Sequence, residues 1–198
     1  MKKLAAILCL SALTTGAFAQ GLVNFINSAT SLSSATIAGN TAATSGAVGS
    51  WYYGLLIAAP GTTSPSAFTF SGVYATNLAA AGRLFGGNNI AVTGWAAGAS
   101  MSYEVAVWSS SLGHTFQNSW LTGTFGASGN FGLSSIATGT SGGAGTPASP
   151  AYNLFGGATG IQSGFNAPAV GGGVVPEPTS MALLGLGAAG LLIFRRRK

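Results

Sequence analysis

Apolar and polar residues alternate with period two from Met101 to Trp108. Met101, Tyr103, Val105 and Val107 point one way; Ser102, Glu104, Ala106 and Trp108 point the other. This is the pattern of a strand with one face on a core. It predicts that Glu104 and Trp108 face solvent and that Ser102→Asp costs little. Shorter or weaker versions of the signal recur over residues 22–27, 51–59, 68–76, 90–95, 116–125, 131–137 and 152–155. Gly-rich stretches at 61–65, 86–89 and 126–129 read as turns between them. Glu and Lys, the usual solvent-facing helix formers, are almost absent from the middle of the chain. Short strands with this punctuation predict an all-β body, an antiparallel β-sandwich or jelly roll. Residues 28–50 are rich in Ser, Thr, Ala and Gly and fit either a long loop or a weak strand pair. Residues 138–150 read as a loop and 164–173 as a flexible Gly-rich stalk.

The two ends follow different rules. Lys2 and Lys3 precede an apolar run over 4–13, and Ala17-Phe18-Ala19 follows. A charged start, a short apolar stretch and a small-x-small site define a secretory signal peptide, residues 1–19. Signal peptidase is then the expected partner, cutting between Ala19 and Gln20. Cys9 lies upstream of that cut, which argues against a lipoprotein.

At the other end, Pro176-Glu177-Pro178 leads into an apolar run from Met181 to Phe194, and the chain closes on Arg195-Arg196-Arg197-Lys198. Each proline disfavours helix in the residue before it, so the motif is extended. The apolar run gives about 21 Å of helix, against a hydrocarbon core of about 30 Å. Thr179, Ser180 and snorkelling arginines narrow that gap, so a single transmembrane helix is predicted over 179–194. Gly185, Gly187 and Gly190 give it a small-residue face suited to another transmembrane helix. The terminal cations are expected to stay cytoplasmic, which leaves the body outside.

Residues 174–198 resemble the PEP-CTERM sorting signal of exosortase substrates. The resemblance rests on the order of motif, short membrane segment and basic terminus. It implies export, transient anchoring through the C-terminal helix, processing by an exosortase at Pro176-Glu177-Pro178, and release to the cell surface or extracellular matrix. It implies nothing about the chemistry of the body. The expected layout is a signal peptide (1–19), an ectodomain (20–163), a stalk (164–173) and a sorting signal (174–198).

Charge alters the picture of the body more than its total suggests. The formal net charge is +5, but Lys2, Lys3 and the last four residues supply six of the seven cations. Between Gln20 and Gly173 only Arg83 and Glu104 carry formal charge, and His114 is the one histidine. Nucleic acid needs clustered cations to displace counterions, so it is excluded as a partner. An anionic membrane surface is excluded for the same reason. With Cys9 removed there is no disulfide, so stability has to come from a core.

The body also lacks the groups that catalysis uses. Glycoside hydrolysis normally needs two carboxylates, and a zinc site needs three or four ligands. Glu104 and His114 fall short of both, so neither a metal nor a cofactor is expected. A Ser-His-Glu triad is arithmetically possible, but no Gly-x-Ser-x-Gly elbow is present. Arg83 and Glu104 are placed to pair across strands as an exposed ion pair. The leading reading is a non-enzymatic exported surface or matrix protein. The alternative is a carbohydrate-binding module for exopolysaccharide, with Trp108 as the stacking residue among Trp51, Trp95, Trp108 and Trp120.

Overall fold

The structure, a computed structural model, describes residues 20–171. The expected signal peptide, with Ala17 and Ala19, and the sorting signal, with the helix expected over 179–194 and the basic end, lie outside the described residues. Within them the chain is mostly strand and almost free of helix. The strands are β1 (Gln20–Ile26), β2 (Ser33–Ile37), β3 (Asn40–Ala43), β4 (Trp51–Ala58), β5 (Thr69–Asn77) and β6 (Leu84–Ala96). They continue with β7 (Ser100–Ser109), β8 (Gly129–Leu133), β9 (Ala137–Thr140), β10 (Tyr152–Asn153), β11 (Phe165–Ala167) and β12 (Ala169–Val170).

One large sheet runs β10-β1-β6-β5-β4-β7-β8-β12, with β9 paired to the first half of β7. A smaller sheet runs β11-β2-β3. Pairing is antiparallel except where β10 joins β1 and β11 joins β2. The two sheets share one core. Val23, Phe25, Tyr53, Leu55, Val92, Trp95, Tyr103, Val105 and Val107 come from the large sheet, and Ala35, Phe165 and Ala167 from the small one. The expected inward face of β7 is therefore correct for Tyr103, Val105 and Val107, with Met101 packed at the margin. A polar knot fixes the sheets to each other. The Tyr53 hydroxyl lies 2.7 Å from Ser33 Oγ and 2.9 Å from Thr44 Oγ1, and those two oxygens are 2.6 Å apart. Hydrogen bonding makes this burial of hydroxyls affordable.

The other face of β4 and β7 is covered as well, which the alternating pattern did not predict. Leu56, Ala58, Ala106 and Trp108 form a second core with Phe68, Phe116, Trp120 and Phe131. The covering layer comes from residues 110–125, predicted in part as a strand. Instead it holds 3-10 turns at Ser110–Leu112 and Asn118–Thr122, the second ended by Gly123 in the left-handed region. Phe116 precedes the second turn and Trp120 lies within it, and both rings pack on Trp108, ring centres 5.8 and 5.7 Å away. This explains why β4 is apolar along nearly its whole length: it is buried on both faces.

Two further expectations change and one open alternative is settled. Gly86 and Gly87 lie inside β6 rather than in a turn, at an irregularity in its pairing with β1. Of the two readings of residues 28–50, the strand pair holds: β2 and β3 form a hairpin over residues 33–43. Residues 164–171 are not a stalk. Phe165 and Ala167 are buried with Asn166 between them, a three-residue strand beside β2, and β12 pairs with β8. Gly132 of β8 admits this crossing, because a Cβ there would overlap the carbonyl of Asn166.

The β2–β3 turn carries a local strain. Ala38 and Gly39 both have positive φ, 50° and 82°, as a two-residue type I′ turn requires. Alanine in the left-handed region costs about 1 kcal/mol, and asparagine tolerates it better. Ala38→Asn is expected to raise the melting temperature by about 3 °C; an unchanged or lower melt would refute this account of the turn.

Candidate functional site

Glu104 sits on β7 opposite Leu56 and is only 1% exposed. Neither carboxylate oxygen has a hydrogen-bond partner among the described residues, so the expected pair with Arg83 is not formed. Its outward placement is corrected for the reason given above: the aromatic layer turns that face of β7 into a second interior. Burial pushes its pKa from 4.5 up to about 7, because desolvation disfavours the charged form. Ser102 on the same face is also 1% exposed, and its Oγ accepts the Gly61 N–H at 3.0 Å. An aspartate there would be buried too, contrary to expectation.

His114 packs against Tyr52, ring centres 4.9 Å apart. Tyr52 is opposite Trp108, four residues along β7 from Glu104, a separation of about 13 Å along the strand. The fold thus keeps apart the two groups that a triad would need together. A cleft of about 520 Å³ opens between Thr69, Phe70, Phe116 and Asn118, and no titratable side chain lines it.

Trp108 is 0% exposed. Its ring lies 5.7 Å from Trp120, 5.8 Å from Phe116 and 5.9 Å from Tyr52, and its Nε1 donates to Gly113 O at 3.0 Å. With both ring faces covered, it cannot stack on a sugar. Trp51, Trp95 and Trp120 are buried as well.

The exposed rings are others. Trp108, Tyr52, Thr76, Phe85 and Ile26 are directly opposed in sequence across β7, β4, β5, β6 and β1. Opposed residues share a face, so these five form one row across the sheet. Cover from residues 110–125 reaches past Trp108, with His114 against Tyr52 and the Phe116 N–H on the Tyr74 hydroxyl at 3.3 Å; the row emerges through half-buried Tyr52 and Thr76 to Phe85, which is 46% exposed. Tyr74, 36% exposed, lies two residues along β5 from Thr76 on the same face. Beyond Ile26, Asn24 Nδ2 donates to Asn153 Oδ1 at 2.8 Å, and Asn24 Oδ1 accepts the Asn89 N–H at 2.9 Å. The row had no sequence signal, because it depends on the register of five strands.

Among the described residues no helix is long and apolar enough to cross a membrane. Targeting resides in the tail, and the comparison with known families agrees. An exported protein with a C-terminal sorting signal is the class that this tail defines. Specifically, residues 174–198 match the PEP-CTERM protein-sorting motif. The motif marks the chain as an exosortase-sorted protein whose sorting signal is membrane-anchored. No curated protein and no solved structure matches the chain.

Proposed function

We propose that this chain is a non-enzymatic protein of the cell surface or extracellular matrix, exported by its signal peptide and sorted by an exosortase. Its body is read as an unequal β-sandwich, the small sheet set against the large one. The match of residues 174–198 to the sorting motif carries the reading. The body adds support from the isolation of its few reactive groups. Glu104 is buried under apolar side chains, and His114 is against Tyr52 on another part of the sheet.

Mass spectrometry of surface-extracted protein tests this. The mature chain is expected to begin at Gln20 and to lack everything beyond Pro176-Glu177-Pro178. Neutral replacements of Arg195, Arg196, Arg197 and Lys198 are expected to impair retention and processing, since those cations hold the helix in its orientation. An intact end at Lys198, in a cell that makes an exosortase, would show that the tail is a permanent anchor.

A further inference from the structure

The geometry points to a polysaccharide-binding shelf formed by Tyr52, Tyr74, Phe85 and His114, with Thr76 and Asn24 supplying hydrogen bonds. The inference deepens the surface role proposed above and relies on export only for access to polysaccharide.

The shelf is a line, not a pocket. From Ile26 through Phe85 and Thr76 to Tyr52 it crosses four adjacent strands, about 15 Å at the usual strand spacing. A small ligand needs a concavity to be enclosed, whereas a row on a sheet face suits an extended chain lying across the strands. Phe85 and Tyr74 are exposed and Tyr52 half-buried along it. Here the rings are interrupted by hydrogen-bonding groups. The Thr76 hydroxyl lies between Tyr52 and Phe85, and the Asn24–Asn153 amide pair lies at the far end. Sugars present the matching surface: apolar C–H faces that cover aromatic rings, with hydroxyls at the rim. A protein partner of ordinary affinity would instead call for a broad apolar centre.

Charge narrows the class. Arg83, just before β6, and buried Glu104 are the only formally charged side chains between Gln20 and Gly173. One cation does not attract a polyanion strongly, so the occupant is a neutral polysaccharide and the contact is stacking rather than ion pairing. Phe85 is the central residue because it is the most exposed ring of the row. Tyr52 is held in place by its cross-strand neighbour Trp108 and by His114, ring centres 5.9 and 4.9 Å away, which limits the entropy lost on binding.

The test uses the full chain, solubilised in a detergent without a sugar headgroup. It is run through native gels containing dextran, galactomannan, xylan or hydroxyethyl cellulose, with alginate as the anionic comparison. Retardation by at least one neutral polysaccharide is expected, and it should persist at high salt. Phe85→Ala should weaken it at least about tenfold, the scale of one lost stacking contact, while the thermal melt stays near that of the parent. Tyr52→Phe should retain most of the binding and Tyr52→Ala should lose it. The proposal is overturned by any of three results: no retardation on any neutral gel, retardation by alginate alone, or binding untouched by Phe85→Ala. It is also overturned if Phe85→Ala merely dissociates a self-associated form in sedimentation without altering retardation. Failure of export or tail processing would refute the sorting assignment and leave these gels unaffected, so the two readings fail separately.

Discussion

Val105→Asp is expected to leave the protein unfolded at room temperature. Val105 is fully buried at the centre of β7, in the core shared by the two sheets. Its backbone is tied to the β8–β9 connection, where Ser134 N donates to Val105 O and Val105 N donates to Ser134 Oγ, each at 2.9 Å. Aspartate would forfeit about 2 kcal/mol of apolar burial and bury a carboxyl with no partner, at a further cost of several kcal/mol. A domain of this size has about 5–15 kcal/mol in total. The body has no cysteine between Gln20 and Gly173 to limit the loss with a disulfide. Thr93→Asp is the control: Thr93 is exposed on β6 beside buried Val92, so its melt should lie within about 0.5 kcal/mol of the parent. Near-ultraviolet circular dichroism and a thermal melt read both variants. A folded Val105→Asp would mean that β7 is not central to the core.

The inward face of β7 was legible in the sequence because it is written in four consecutive alternations. Its outward face was misread because what covers it lies elsewhere. Phe116 and Trp120 reach Trp108 from a loop, and period two says only that two faces differ, not that one is wet. The Gly-rich character of residues 164–173 hid a strand for a related reason. Phe165-Asn166-Ala167 is one short alternation, too brief to register against its neighbours. The β2–β3 hairpin lacks the Asn-Gly dipeptide that normally announces a two-residue turn, and Ala38 takes its strained place. The sorting motif of the tail was readable because a sorting address is contiguous: motif, apolar run and cations follow one another in the chain. The aromatic shelf is the opposite case. Phe85 and Tyr52 are neighbours in a row only through Thr76 on a third strand, and no local pattern carries that register.

Stability is expected to fall as pH rises from about 4 to 8, and Glu104 is the residue responsible. Its pKa stands at about 7 in the folded protein against 4.5 ordinarily, raised by burial. Below 4.5 both folded and unfolded chains hold the proton, and the fold bears no penalty. Between 4.5 and about 7 the unfolded chain releases it while the folded chain keeps it, so the unfolded state binds fewer protons and stability declines. Above about 7 the folded chain must ionise the carboxyl or open, and the loss levels off near 3 kcal/mol, at 1.36 kcal/mol per pH unit. The direction is opposite to that of a salt-bridged carboxylate, which stabilises a fold as pH rises. Glu104→Leu should abolish the slope and stabilise the protein at pH 8, since Leu56 and Ala106 already make the surroundings apolar. Glu104→Gln should abolish the slope while leaving a buried amide without partners, and so gain less. Urea unfolding across that pH range, on the parent and both variants, measures the effect. A parent whose midpoint is flat or rises with pH would show that Glu104 reaches water or a partner.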